Sequence, residues 1–161
     1  MGLLCDYFAA RNDAVAATAA SWPGGPSKPP QGKPGLFRKA ATPPEPFPTV
    51  SLPGIEPVVM MATLEEALTG VSADDALDAN VDAQVGSHGG VMVFRLRSEL
   101  TAALTSATDE QLRGAAVPWS ETEEFFGSGD PEVLHSAASQ LAALARRAGA
   151  AGQAIYCWMS P

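Results

Sequence analysis

The stretch AIYCWMSP, residues 154–161, is the most apolar and aromatic part of the chain, and it lies at the C-terminal end. Chain ends are usually where order fades, so such a segment calls for a structural explanation. Its side chains alternate between two apolar sets: Ala154, Tyr156 and Trp158 on one face, and Ile155, Cys157 and Met159 on the other. A strand that is apolar on both faces lies inside a sheet or beneath helices, so the segment predicts a buried strand.

Residues 2–8, GLLCDYF, have the same short, apolar and aromatic character, interrupted by Asp6. They predict a first strand, and we expect both chain ends to join one sheet, where they could be neighbours. Residues 91–96 are dense in Val, Met and Phe and predict an interior strand, while residues 49–52 predict a short one.

The longest helix is predicted to begin at Asp130-Pro131, because Asp accepts hydrogen bonds from free amides at an N-cap and Pro suits the first turn. Its apolar residues recur with helical spacing: Leu134, Ala137, Ala138, Leu141, Leu144, Ala145 and Ala148. Gly149 and Gly152 predict its C-terminal end.

Shorter helices are predicted from their N-terminal signals. Asn12 or Asp13 is expected to cap a helix over residues 14–20, and Ser98 a helix that ends near residue 107. Residues 73–85 favour an acidic helix, although alternating apolar residues near the end of this stretch leave a strand open.

Three further helix starts are predicted from capping boxes, in which Ser or Thr is followed three positions later by Glu or Gln. They begin at Thr63, Thr108 and Ser120. Together these elements predict an α+β fold in a single domain, residues 1–161. We expect a small mixed sheet that includes both chain ends, packed by several short helices and one long C-terminal helix.

Residues 22–48, WPGGPSKPPQGKPGLFRKAATPPEPFP, are rich in proline and glycine, so no regular element is expected to run through them. The segment holds a cluster of cations: Lys28, Lys33, Arg38 and Lys39. No acid occurs from residue 14 to residue 44. The pattern predicts a basic, irregular loop, which is either functional or flexible. We expect residues 23–47 to contribute little to global stability.

The chain as a whole is acidic, with 10 Lys plus Arg against 18 Asp plus Glu and a net charge of −8 over 161 residues. Such a chain repels phosphate backbones and anionic lipids, so we expect no general nucleic-acid binding and no membrane association. The opening residues lack the pattern of a secretory signal, and no apolar run approaches the ~20 residues of a membrane helix. A cytoplasmic location is therefore expected.

The second half of the chain resembles, in layout, the YfbM-like family of small bacterial proteins, which has no settled function. A helix ending at Leu68-Thr69-Gly70 is followed by Gly89-Gly90 and by a strand that runs into FRLRSELTAALTSATDEQLRG, residues 94–114. A segment centred on Pro118-Trp119, a long helix and an apolar strand complete the layout. The resemblance covers about residues 58–160. It implies an α+β fold and carries over no catalytic residue.

Metal and cofactor chemistry finds little support in the residues. The histidines, His88 and His135, have no paired spacing, and Cys5 and Cys157 lie at opposite ends without a CxxC partner. We expect no structural metal and no cofactor, and we expect both cysteines to be buried, reduced thiols.

The strongest candidate for a functional surface is WSETEEFF, residues 119–126, where acids and large aromatic side chains mix. Aromatic neighbours can raise the pKa of a carboxyl group for acid–base work, but three solvated glutamates on a short helix would have the same sequence. The binding candidates are Trp119, Glu121, Glu123, Glu124 and His88. We also expect Trp119 to be a packing anchor.

Two functions remain open from the sequence. The small, acidic and motif-free chain favours a non-enzymatic interaction or regulatory protein, of the kind represented by immunity proteins, with a protein partner. The alternative is a small-molecule-binding protein or enzyme, with a carboxylate-based site near residues 119–124 whose ligand is unknown. That alternative requires a deep pocket in which such side chains converge.

Overall fold

The computed structural model describes residues 2–33, 35–37 and 42–161. Its strands are β1 (Leu4–Ala10), β2 (Thr49–Ser51), β3 (Gln84–His88), β4 (Val91–Arg95) and β5 (Ala154–Ser160). Its α-helices are α1 (Asp13–Ala17), α2 (Val59–Thr69), α3 (Ala73–Val81), α4 (Ser98–Ser106), α5 (Asp109–Ser120) and α6 (Pro131–Ala150). Short 3-10 helices span Thr18–Ser21 and Glu123–Phe125.

The five strands form one sheet in the order β2-β1-β5-β4-β3. Strands β1 and β5 pair along their full lengths, from Leu4 opposite Ser160 to Ala10 opposite Ala154. The predicted α+β class, the joining of both chain ends in one sheet and the long C-terminal helix are confirmed. All pairings among the described residues are antiparallel, so the sheet is not mixed as we expected.

One face of the sheet packs against α2, α4, α5 and α6. Side chains from β1 and β5 that point to this face, including Tyr7 and Ile155, join a single buried cluster with the apolar stripes of these helices. The Tyr7 hydroxyl donates a buried hydrogen bond of 2.8 Å to the carbonyl oxygen of Ile55. This helical layer contains the largest fully buried side chain of the protein, Trp119.

The opposite face of the sheet is covered by α1, the first 3-10 helix and the two ends of the proline-rich segment. Phe8 and Trp158 from the sheet form a second buried cluster with Trp22, and half-buried Phe47 packs against it. The backbone amide of Phe47 donates to the carbonyl oxygen of Pro26 at 3.0 Å, which joins the two ends of the segment. The expectation that residues 23–47 add little to stability therefore does not extend to its two ends.

Helix α2 begins at Val59, four residues before the capping box predicted at Thr63. The Glu56 carboxylate accepts hydrogen bonds from the backbone amides of Val58, Val59 and Met60, so a longer side chain upstream caps the helix. The Thr63 hydroxyl instead donates to the carbonyl oxygen of Met60 inside the helix. The capping-box prediction at Thr63 is therefore wrong.

The predicted capping box at Ser120 is also wrong, because Ser120 is the last residue of α5 and not the start of a new helix. Helix α5 runs through Pro118, which removes one backbone hydrogen bond. Burial of the adjacent Trp119 outweighs this loss and holds the turn in helical form. The capping box at Thr108 is confirmed, with both reciprocal hydrogen bonds to Gln111 present.

Residues 73–85 contain both of the alternatives that the sequence left open. Helix α3 ends at Val81, and β3 begins at Gln84. Buried Asn80 donates from Nδ2 to the carbonyl oxygen of Val58 at 2.9 Å, which ties α3 to the start of α2. Ser98 is the first residue of α4 and not its side-chain cap, and the N-cap position belongs to Arg97.

Candidate functional site

Trp119 lies beneath the candidate surface and not on it. Its side chain is fully buried, and its indole Nε1 donates to the carbonyl oxygen of Met60 at 3.0 Å. The ring of Phe125 packs edge-on against it, with a centroid separation of 5.6 Å and an interplanar angle of 90°. Trp119 therefore supports the residues that follow it in sequence, as expected of a packing anchor.

The three glutamates that follow Trp119 differ in their environments. Glu121 and Glu123 are exposed, at the C-cap of α5 and at the start of the second 3-10 helix. Glu124 is half-buried, and its Oε2 atom is shielded from solvent with no hydrogen-bond partner among the described residues. A buried carboxylate oxygen without a donor is costly, so Glu124 is the glutamate most ready to accept a hydrogen bond from a bound molecule.

Glu124 lines an open, mostly apolar groove with a volume of about 380 Å³. We call this surface the Glu124 groove. Its apolar walls come from the segment after β2, from α2, from the 3-10 helix and from α6: Pro53, Ile55, Met60, Phe125, Phe126, Val133 and Leu134. Three parts of the chain that are distant in sequence thus meet around one carboxylate.

Two large apolar side chains of the Glu124 groove are exposed to solvent. The side chain of Phe126 is 92% exposed and that of Val133 is 60% exposed. Phe126 also has a left-handed backbone, with φ 56° and ψ 28°, and it is the one non-glycine residue with positive φ in the described chain. This conformation costs an L-residue roughly 1–2 kcal/mol, so neither local strain nor burial explains a phenylalanine here.

The turn that carries Phe126 is held by backbone hydrogen bonds. The amide of Gly129 donates to the carbonyl oxygen of Ser120 at 2.9 Å, and the amide of Gly127 donates to that of Thr122 at 3.0 Å. A Cβ atom at residue 129 would lie 3.0 Å from both the Ser120 oxygen and the Phe125 Cβ, so glycine permits this close approach. The groove therefore has a preformed wall.

Carboxylates surround the rim of the Glu124 groove. Asp130 lines it, but its Oδ1 accepts from the amide of Glu132 at 2.9 Å as the cap of α6 and is already engaged. Exposed Glu121 and Glu123 precede Glu124 in the same turn, and Glu132 follows Asp130. The surface is therefore negative at its edge and apolar at its centre.

His88, the remaining candidate, lies at the end of β3, where it is exposed and pairs with Val91 across the hairpin. Strand β3 is an edge strand of the sheet, and His88 does not line the Glu124 groove. The structure thus brings Glu124 to an apolar surface and Trp119 beneath it, and it leaves Glu121 and Glu123 at the rim and His88 apart.

Sequence reasoning missed a buried ion pair on the helical side of the sheet. Glu65 on α2 is fully buried, and Arg97 Nε contacts its two carboxylate oxygens at 3.0 and 3.2 Å. Burial raises the pKa of Glu65, and the Arg97 guanidinium opposes this shift only in part. The two residues lie 32 positions apart, so no local pattern could have paired them.

A second groove, of about 470 Å³, lies at the N-terminus of α1 on the other side of the sheet. There Asp13 Oδ1 accepts a hydrogen bond from the Tyr156 hydroxyl at 2.7 Å and from Arg95 Nη1 at 3.0 Å. Burial and the neighbouring Asp13 carboxylate raise the pKa of Tyr156. These three polar groups satisfy one another, and the groove presents no unpaired buried atom among the described residues.

Both cysteines, Cys5 and Cys157, are free and buried. Burial and the neighbouring Cys5 raise the pKa of the Cys157 thiol, which lowers its reactivity as a nucleophile. Across residues 2–33, 35–37 and 42–161, no group of three or more His, Cys, Asp or Glu side chains is arranged to hold a metal ion. Within the same ranges, no helix has the length and apolar character needed to cross a membrane.

The chain matches no protein-family model, and no curated protein and no solved structure is detectably similar to it. The resemblance to the YfbM-like family therefore stays a prediction. Functional reasoning has to start from the surface of this chain itself, and the Glu124 groove is the surface that its local folding explains least.

Proposed function

We propose that this protein is a non-enzymatic interaction protein that binds a partner protein through the Glu124 groove. The observation that carries the proposal is Phe126, whose phenyl ring is 92% exposed on a left-handed backbone beside an apolar groove. Exposed apolar surface next to a preformed groove is typical of protein-binding sites. A regulatory role, such as that of an immunity protein that blocks its partner, is the finer form of this proposal.

The chemistry of the groove defines the kind of partner segment that fits it. Its apolar centre favours an aliphatic or aromatic side chain, whose burial against Phe126 and Val133 would supply most of the affinity. The unpartnered Oε2 of Glu124 favours an adjacent donor, either a Lys or Arg side chain or a backbone amide. The rim of carboxylates favours a basic segment and disfavours an acidic one.

An enzyme with a carboxylate-based site finds less support in this geometry. Among the described residues, the carboxylates that line the groove are Glu124 and Asp130, and Asp130 is engaged as a helix cap. No histidine lines the groove to share a proton with Glu124. The groove is also an open surface depression, whereas small-molecule sites bury most of their ligand.

The experiment that tests the proposal compares two matched substitutions of exposed valines. Val133→Ser changes the Glu124 groove, while Val81→Ser changes an equally exposed valine on α3, with exposed fractions of 60% and 59%. Each variant and the wild type would be immobilised and incubated with a lysate of the source cells. We expect one stoichiometric protein to be retained by the wild type and by Val81→Ser and to be lost by Val133→Ser.

Two outcomes would contradict the proposal. A partner that is retained equally by both valine variants would show that binding uses another surface. A metabolite that raises the Tm of the wild type and of Glu121→Gln, but not of Glu124→Gln, would instead favour the small-molecule alternative, because a ligand bound well above its Kd stabilises the folded state.

A further inference from the structure

The middle of the proline-rich segment exposes an apolar pair. The side chains of Leu36 and Phe37 are 93% and 96% exposed, which makes them the two most exposed large apolar residues of the described chain. Lys33 precedes them, and Arg38 and Lys39 follow them in the sequence. The segment therefore presents one aliphatic and one aromatic side chain between cations, with no acid from residue 14 to residue 44.

This composition is complementary to the Glu124 groove. Leu36 and Phe37 have the apolar side chains that the groove's centre favours, and the flanking cations oppose the carboxylates at its rim. A Lys or Arg side chain beside the pair, or a backbone amide, could donate to the unpartnered Oε2 of Glu124. The three lysines of the chain all lie in residues 28–39, so no other part of the protein combines lysine with exposed apolar side chains.

We infer that the Leu36-Phe37 segment of one molecule docks in the Glu124 groove of a second copy of this chain. In a two-fold dimer each molecule would give one segment and receive one, so both apolar surfaces would be covered. The inference rests on the proposed function, because it uses the same groove. It adds that self-association and partner binding compete, so the partner-free protein would keep its binding surface closed.

The first test is the oligomeric state of the full chain, measured by sedimentation velocity over a range of concentrations. We expect a monomer–dimer equilibrium that weakens as salt is raised, because the contact pairs cations with carboxylates. Val133→Ser should raise the dimer dissociation constant about a hundredfold, since each of the two grooves loses apolar contact corresponding to about tenfold. Val81→Ser should leave it unchanged.

A mixing experiment identifies the two surfaces that meet. Phe37→Ser removes the docking side chain and keeps the groove, whereas Val133→Ser keeps the docking segment and damages the groove. Each variant alone contains no intact contact, but an equimolar mixture contains one, between the Val133→Ser segment and the Phe37→Ser groove. We expect the mixture to form a heterodimer at concentrations where each variant alone is monomeric.

Several results would overturn the inference. A wild type that stays monomeric at all concentrations would do so, as would dimers that survive both Phe37→Ser and Val133→Ser. Mixed variants that remain monomeric would show that the two surfaces do not meet. These results leave the proposed function standing if the lysate partner still distinguishes Val133→Ser from Val81→Ser, so the failure of one proposal is distinguishable from the failure of the other.

Discussion

The two faces of the sheet are covered in different ways. Four helices cover one face, and the largest buried side chain there, Trp119, belongs to a regular helix. The other face is covered by one short α-helix, a 3-10 helix and the ends of an irregular segment. On that face Phe47 stacks on Trp22 with a centroid separation of 5.1 Å and contacts Phe8 at 5.0 Å.

This difference shows that irregular chain can form a core layer when aromatic side chains anchor it and its backbone groups are paired. Trp158 Nε1 donates to the carbonyl oxygen of Ala19 at 3.0 Å, and the amide of Phe47 donates to that of Pro26 at 3.0 Å. Proline removes donors that would otherwise need partners in a buried layer. The same proline-rich segment leaves Leu36 and Phe37 in solvent, so its ends and its middle have different roles.

The largest effect is expected on the helical face, for Trp119→Ala. The substitution opens a cavity in the main cluster and leaves the Met60 carbonyl oxygen without its donor, so it should lower the free energy of unfolding by about 3–5 kcal/mol. Urea melts monitored by circular dichroism would measure this. Val117→Ala, at a half-exposed position of the same helix, is the control and should change little. A Trp119→Ala variant that melts like its parent would contradict the placement of the indole.

On the opposite face, Phe47→Ala tests whether the proline-rich segment contributes to the core. Its ring is half-buried and contacts Trp22 and Phe8, so we expect a loss of about 2–3 kcal/mol in the free energy of unfolding. Phe37→Ala changes the same residue type where it is exposed, and it should shift the value by less than about 0.5 kcal/mol. Equal effects for the two variants would remove the distinction between the ends and the middle of the segment.

The buried ion pair on the helical face predicts a pH dependence. Because burial raises the pKa of Glu65, its carboxyl binds a proton more tightly in the folded protein than in the unfolded chain. Its contribution to stability is therefore fully present below about 4.5, its ordinary pKa, and is lost as pH rises through the folded pKa. The free energy of unfolding of the wild type, minus that of Glu65→Gln, should fall as pH rises above this value.

Urea melts of both proteins from about pH 4 to about pH 8 would give this difference, and groups common to both proteins cancel in it. A difference that increases with pH would show that the attraction between Arg97 and the Glu65 carboxylate exceeds the effect of burial. The pair would then be a net stabilising ion pair at neutral pH and not a carboxyl that is buried at a cost.

The smallest effect is expected for the exposed ion pair on the opposite face. Arg95 and Asp13 form a contact of 3.0 Å with side chains that are 48% and 50% exposed, so solvent screens their attraction. A double-mutant cycle with Arg95→Ala and Asp13→Ala should give a coupling energy of about 0.2–1 kcal/mol, and added salt should reduce it. A coupling well above this range would place the pair among the structural anchors of its face.

Local patterns in the sequence determined the parts of this fold whose hydrogen bonds close within a few residues. The two-faced apolar alternation in residues 154–160 and the apolar character of residues 2–8 predicted the central strands, because a pattern apolar on both faces has to be covered on both. Asp130 and the Thr108 capping box predicted helix starts because their side chains reach amides two or three residues away. Glu124 was also among the predicted site residues, since its aromatic neighbours adjoin it in sequence.

Tertiary structure alone decided what depends on residues distant in sequence. Glu65 finds Arg97 across 32 positions, and the Trp119 indole finds the Met60 carbonyl oxygen across 59, so neither partner could be read from local spacing. The walls of the Glu124 groove likewise come from the segment after β2, from α2 and from α6. Periodicity states which side chains need burial or a partner, but only the packing of the elements determines which atoms provide it.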